Sequence, residues 1–161
     1  MISQTTEYAL RAVVYLGQHA DESWTTKQIA AATRVPAGYL SKVLQGLSRA
    51  GLISSQRGRH GGFQLAGDPA EMSVLDVVNA VEPIRRITRC PLNLVGHDSD
   101  LCPLHHALDQ TIAAVEKAFS DRTVADLLGR DDTVEPLCDF PGGLTFSNRQ
   151  RRAAASHVEE D

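Results

Sequence analysis

The spacing of apolar residues predicts three helices near the start of the chain. An amphipathic pattern predicts the first helix over about residues 5–19. Thr26 can cap a short second helix, because a threonine oxygen can accept hydrogen bonds from the free N–H groups of a first turn. A third helix is predicted over about residues 36–50, since proline is tolerated in a first turn and Gly51 can end the helix in the left-handed conformation.

A glycine-rich hairpin follows the third helix. Residues 52–55 and 63–65 are predicted as two short strands, and the turn between them contains three glycines. Two helices joined by a tight turn and followed by such a hairpin are typical of a winged helix-turn-helix. The first domain is therefore predicted to span residues 1–66.

The rest of the chain is predicted to be mainly helical up to residue 129. Ser73 can cap a helix over residues 74–81, and a long helix is predicted over about residues 103–119. A short helix follows, and the polar tail beyond it is predicted to stay disordered. The predicted fold class is mainly α: a winged helix-turn-helix DNA-binding domain with a long C-terminal dimerisation helix. The domains after the winged helix are a cofactor loop with the dimerisation helix at 67–129 and the tail at 130–161.

The long helix carries a one-sided apolar stripe. A single winged helix reads only a few base pairs, and two-fold dimers overcome this limit by reading two half-sites. The stripe therefore predicts a homodimer, although packing against its own domain is the alternative. The stripe consists of Leu104, Leu108, Ile112 or Thr111, Val115 and Phe119.

Composition restricts the class of protein further. The chain has 161 residues, of which 42% are hydrophobic, so it can bury a core. It contains no run of about 18 apolar residues and no signal-peptide pattern, so we expect a cytoplasmic protein without a membrane span. In that compartment its three cysteines would stay reduced, as free thiols or metal ligands.

The net charge of −4 is unevenly distributed. Residues 1–66 contain seven Lys or Arg against three Asp or Glu, whereas residues 67–161 contain nine against seventeen. Opposite charges on the two parts indicate that only the N-terminal part approaches a polyanion.

Three surfaces of the predicted winged helix suit double-stranded DNA. The outward face of the third helix is small and polar, as a helix in the major groove requires. The wing carries basic side chains on a glycine frame, and the start of the second helix offers N–H groups to a phosphate. Solvated faces, or a winged helix that binds protein, are the alternatives. The candidate DNA-binding residues are Thr26, Lys27, Gly38, Ser41, Lys42, Gln45, Arg57, Arg59 and His60.

A segment rich in cysteine and histidine precedes the long helix. Cys102 and His105 are three residues apart at a predicted helix start, which puts both on one face and favours a thiolate. With Cys90 from the preceding loop they suit a tetrahedral zinc ion or an iron–sulfur cluster with mixed ligands. The alternative is that the cysteines are small buried side chains and the histidines are polar surface. Cys138 falls in the predicted tail.

Short motifs in the helices, the wing and this segment form a set: Tyr8-Ala9-Leu10, Tyr39-Leu40, Gly51-Leu52-Ile53, Arg57-Gly58, Gly61-Gly62-Phe63, Cys90 and Cys102. Over about residues 1–129 the chain thereby resembles the IscR/NsrR-type winged-helix transcriptional regulators, which are iron–sulfur-sensing repressors. The resemblance implies a homodimeric repressor, adds Tyr39 to the candidate DNA-binding residues, and implies a wing arginine, Arg57, that enters DNA.

The resemblance also implies a cluster, of the 2Fe–2S type or another, bound by Cys90, Cys102 and His105. It further implies that Glu7 reaches the cluster of the partner subunit. Cluster-binding members have three cysteines before the long helix, and the middle one is absent here. His97 lies beside that gap and could substitute. A member that binds zinc or no cofactor is the alternative.

No catalytic pattern accompanies the histidines. They have no neighbouring Asp or Glu that offers a general base beside an open metal site, and the chain has no phosphate-binding glycine loop. We therefore expect a DNA-binding regulator and not an enzyme. The alternative is a cofactor-free regulator or adaptor that is controlled by a protein partner.

Overall fold

A computed structural model describes residues 2–56, 58, 61–91 and 101–129. Arg57, Arg59, His60, His97 and the 130–161 tail with Cys138 lie outside the described residues. Among the described residues, no helix is both long and apolar enough to cross a membrane. In chain order the elements are α1 (Gln4–Gln18), α2 (Thr26–Thr33), α3 (Ala37–Arg49), β1 (Ile53–Gln56), β2 (Gly62–Leu65), α4 (Val74–Val81), α5 (Pro103–Ser120) and α6 (Val124–Leu127).

Helix α1 lies at the centre of the hydrophobic core. Ser3 caps its N-terminus by accepting a hydrogen bond from the Thr6 N–H. The predicted apolar face is fully buried, including Ala9 and Ala12, whose small side chains let neighbouring helices approach closely. Helices α2, α3, α4 and α6 all contact α1.

Helices α2 and α3 form the helix-turn-helix. The turn between them passes through Arg34, which has a left-handed backbone with φ 55°. Helix α2 is capped by Thr25 and not, as predicted, by Thr26. The Thr25 side chain accepts from the Gln28 N–H, and the Gln28 side chain accepts from the Thr25 N–H at 2.9 Å. This reciprocal pair satisfies two N–H groups at once, which a cap at Thr26 would not.

Helix α3 ends as its sequence predicts. Gly51 has φ 76°, a left-handed conformation that costs glycine little. The Gly51 N–H donates to the Ser48 carbonyl, and the Leu52 N–H donates to the Leu47 carbonyl at 3.0 Å. These are the two hydrogen bonds of a Schellman motif, and they direct the chain from α3 into β1.

The wing is anchored to the segment before α2. Strands β1 and β2 pair antiparallel, with Ile53 opposite Leu65. Beyond this pair, Trp24 and Phe63 exchange backbone hydrogen bonds of 2.9 and 2.8 Å. A Cβ at Gly62 would lie 2.7 Å from the Trp24 backbone, so only glycine allows this approach. The base of the wing and the start of α2 are therefore held in one fixed arrangement.

Helices α4 and α6 complete the same core. Met72, Val77 and Val124 belong to the buried cluster that α1, α2 and α3 form. The Val74 and Val124 N–H groups donate across to the Arg122 and Met72 carbonyls, each at 2.8 Å. The buried cluster therefore continues beyond residue 66, where the predicted first domain ends.

The position of the α2 cap leads to a stability prediction. Replacing Thr25 with Ala removes the side-chain acceptor, which costs about 0.5–2 kcal/mol of the free energy of unfolding. Thr26→Ala, one residue along, leaves the capping box intact and is expected to change that free energy by less than about 0.5 kcal/mol. Urea unfolding of both variants measures the difference, and equal losses would contradict the assignment of the cap.

Candidate nucleic-acid interface and metal centre

The outward face of α3 is open and polar. Lys42 and Gln45 are exposed, and Ser41 is half-buried with its hydroxyl donating to the Ala37 carbonyl at 3.0 Å. Gly38 is also exposed, and a Cβ at this position would meet no atom within 4 Å. Packing within the protein therefore does not require a glycine at this position.

The side chain of Tyr39 is partly packed against α1 and partly exposed. Its side chain is 47% exposed, yet its ring packs edge-on against Tyr8 with centroids 5.8 Å apart. Its hydroxyl lies 3.4 Å from the Thr5 hydroxyl. Tyr39 thus ties the start of α3 to α1 while it leaves one edge available at the surface.

The other two candidate DNA surfaces flank α3. Lys27 is exposed in the first turn of α2, and Thr26 beside it is half-buried. Gly58, in the wing, has φ 122°, and its carbonyl accepts from the Gly61 N–H at 2.9 Å. The three basic wing residues of the prediction are outside the described residues.

Three potential metal ligands converge between the segment after α4 and the start of α5. The Cys90 and Cys102 Sγ atoms and the His105 imidazole all lie within 4.8 Å of one another. His105 Nδ1 is 3.2 Å from the Cys102 sulfur and 3.8 Å from the Cys90 sulfur. Cys90 and His105 are buried.

Helix α5 places two of these residues by its geometry. Cys102 is the N-cap residue, Pro103 occupies the first turn, and His105 follows three residues later on the same face. Cys102 makes no side-chain capping hydrogen bond, and its sulfur lies next to His105 Nδ1 instead.

A salt bridge fixes the segment that carries Cys90. Arg86 donates to both carboxylate oxygens of Asp109, from Nε at 2.8 Å and from Nη2 at 2.6 Å. The Ile87 N–H donates to the same carboxylate at 2.8 Å. The hydrogen bonds from Arg86 are the main reason that the pKa of Asp109 is lowered to about 2, so the carboxylate stays charged further into the acidic range than an ordinary aspartate does.

The donor set fits a metal. Two sulfurs and one imidazole suit zinc and also suit an iron–sulfur cluster with mixed ligands. Of the two further predicted ligands, His97 is outside the described residues, and Glu7 forms an ion pair with Arg11 on α1. Within the described part of the chain, Glu7 is not a member of the Cys90, Cys102 and His105 group.

The apolar stripe of α5 is exposed in part. Leu104, Leu108 and Val115 are 62%, 47% and 42% exposed, and Thr111 is exposed between them. Ile112 and Phe119, which the sequence pattern also assigned to this stripe, are half-buried instead. We define the exposed stripe as Leu104, Leu108, Thr111 and Val115.

The sequence did not point to Arg86 or Asp109. They lie 23 residues apart and pair only when the segment after α4 runs along α5. Charged residues are frequent on both elements, so no local spacing singles out this pair.

These features together define a class of protein. A helix-turn-helix with an exposed polar second helix and an attached wing is the architecture of winged-helix transcriptional regulators. The family model described as Rrf2, iron-dependent transcriptional regulator, matches residues 2–130. The chain therefore belongs to the Rrf2 family of transcriptional regulators.

Individual relatives agree with this assignment. The transcriptional regulator NsrR of Geobacillus kaustophilus is 35% identical over 133 residues, which cover 79% of this chain and 88% of that protein. The structure of T. potens IscR matches with a TM-score of 0.65 and 25% identity over 80% of this chain and 85% of that one. B. subtilis CymR, described as the global cysteine regulator, matches with a TM-score of 0.66 and 26% identity over 82% and 98%. These relatives are regulators and not enzymes, which confirms the predicted class and the winged-helix fold.

Proposed function

We propose that the protein is a homodimeric transcriptional repressor whose affinity for its operator is controlled by an iron–sulfur cluster. The observation that carries the proposal is the convergence of Cys90, Cys102 and His105 at the start of α5, in a chain with an exposed recognition helix. The description of the matching family as iron-dependent supports iron as the metal.

The DNA contacts proposed for α3 come from its exposed face. Gly38 lets the duplex approach the helix backbone, and Lys42 and Gln45 are long enough to reach phosphates or base edges. Thr26 and Lys27 at the start of α2 are proposed to contact the backbone, with Arg57, Arg59 and His60 from the wing. The excess of basic residues in 1–66 supports this orientation.

The proposed cluster ligands of this chain are Cys90, Cys102 and His105. His97 is the candidate for a further ligand from the same chain, and Glu7 is the candidate from the partner subunit. Glu7 is exposed, so a partner can reach it, although it must then leave its ion pair with Arg11. When bound, an iron–sulfur cluster supplies a centre that can be oxidised, nitrosylated or lost.

The exposed stripe of α5 is the proposed dimer interface. Three large apolar side chains on one helix face are costly to leave in water, and pairing with the same face of a second copy buries them. His105 lies on the same helix as the stripe, so a change at the metal site can shift the two recognition helices relative to each other. Operator affinity then changes by the difference in binding free energy between the two arrangements.

A second candidate is a cofactor-free regulator or adaptor that is controlled by a protein partner. The structural similarity to CymR supports a regulator without iron only in that its description as the global cysteine regulator names cysteine and no metal. In that case Cys90 and Cys102 are buried thiols that pack beside His105.

Substitution of Lys42 tests the proposed DNA interface. Lys42→Ala removes a phosphate contact, so it should weaken binding to the DNA upstream of the protein's own gene and reduce the slope of log affinity against log salt by about 1. Lys117→Ala removes the same charge from α5 and should leave the slope unchanged. Gel-shift titrations over a range of salt concentrations measure both slopes. Absence of binding by the wild-type protein, with or without its cofactor, would contradict the regulator function.

Substitution of Cys102 tests whether the protein binds an iron–sulfur cluster. Protein purified without oxygen is expected to be coloured and to contain iron and acid-labile sulfide. Cys102→Ala should lose both, because it removes a thiolate ligand, whereas Cys138→Ala should keep them. An absorption spectrum with iron and sulfide assays decides the outcome. A colourless, iron-free wild-type protein would favour the cofactor-free candidate.

Substitution of Leu108 tests the proposed dimer interface. Leu108→Glu puts a charge in the middle of the exposed stripe, so the variant should have the mass of one 17.4 kDa chain in light scattering, whereas the wild-type protein should have twice that mass. Gln110→Glu adds the same charge to another exposed face of α5 and should remain dimeric. A dimeric Leu108→Glu variant would place the interface elsewhere.

A further inference from the structure

The segment that brings Cys90 to the metal centre has no regular secondary structure. Residues 83–91 run from the end of α4 to a turn beside α5 without pairing to a strand. Two side-chain oxygens hold its backbone. Asn79 accepts from the Ile84 N–H at 3.0 Å, and Asp109 accepts from the Ile87 N–H at 2.8 Å.

Asp109 is the stronger of these two anchors. Its carboxylate accepts from Arg86 Nε, Arg86 Nη2 and the Ile87 N–H, all at 2.8 Å or less. A bidentate arginine–carboxylate pair is both directional and stronger than a neutral hydrogen bond. Arg86 Nη1 also lies 3.6 Å from Glu116, so the guanidinium spans two carboxylates of α5.

The anchor lies next to the metal centre on both chain segments. Ile87 is three residues before Cys90, and Asp109 is four residues after His105, so it lies one helical turn further along the same face of α5. Cys90 is 4% exposed, with its sulfur 3.8 Å from His105 Nδ1. The salt bridge thus holds a ligand-bearing loop against the helix that carries the other two ligands.

We propose that Asp109 is a positioning residue of the metal centre, which holds Cys90 against His105 through Arg86 and the Ile87 backbone. Asp109 contacts none of the three donor atoms. Its relevance to metal binding rests on the proposed function, but the position of Cys90 can be measured without any metal.

The test is the rate at which iodoacetamide alkylates Cys90 in reduced, metal-free protein, followed by mass spectrometry and normalised to the unfolded chain. Buried thiols react through local opening, so the rate reports how firmly the segment is held. Asp109→Ala should raise the rate by about tenfold or more, because a charge-assisted network is lost. Asp109→Asn, which keeps an acceptor for Ile87, should give an intermediate rate.

The matched control is Asp121→Asn. Asp121 ends α5 and pairs with Lys117 at 2.8 Å, so the variant removes an ion pair from the same helix without touching the Cys90 segment. It should alkylate at the wild-type rate. Because thermal unfolding is followed in all variants, a general loss of stability is distinguished from release of Cys90. Asp109→Asn and Asp121→Asn rates that are equal would overturn the proposal.

A Co²⁺ titration provides the second readout. Asp109→Asn should weaken Co²⁺ binding, seen by thiolate charge-transfer absorption, by about tenfold, and Asp121→Asn should not. Unchanged affinity in Asp109→Asn would also overturn the proposal. If the wild-type protein binds neither Co²⁺ nor a cluster, the metal centre of the proposed function fails, and the alkylation rates still decide whether Asp109 positions Cys90.

Discussion

The burial of α1 is the constraint on which the rest of the structure depends. Helices α2, α3, α4 and α6 and strand β2 all contact it. Ala9 and Ala12 have no exposed surface, and larger side chains there would push these neighbours apart. The helix-turn-helix (α2 and α3) and helix α4, which precedes the candidate metal centre, therefore both pack on α1. Because a close-packed interior does not deform continuously, a shift on one side of α1 requires repacking on the other.

Two different faces of helix α5 carry the candidate metal ligand and the exposed apolar stripe. One face points inward and carries His105 and Asp109, which face the segment with Cys90. The exposed stripe lies about a quarter to a third of a turn around the same helix. Neither face can be altered by a rotation of the helix without altering the other. The candidate metal centre and the proposed dimer interface therefore lie on one helix, which would couple them.

Local patterns predicted the elements well and the contacts between distant segments poorly. The winged helix follows from helical spacing, capping residues and glycine positions, each of which acts within a few residues. The error at the α2 cap was avoidable, since Gln28 stands three residues after Thr25, as a capping box requires. The pairing of Trp24 with Phe63 and of Arg86 with Asp109 spans many residues. Such contacts depend on the packing of whole elements and leave no periodic signal in the sequence.

Because α5 is long, a small change in its tilt at the Cys102 end produces a larger displacement at the Ser120 end. Its 18 residues make a rod of about 27 Å. If α5 tilts as a straight rod, a tilt of about 5° around the Cys102 end moves the Ser120 end by about 2 Å. In the proposed dimer, the displacements of the two α5 helices would add. In the proposed repressor, an event at the three donor atoms would thereby change the distance between the two α3 helices by several ångströms, which would alter how the two helices fit successive major grooves.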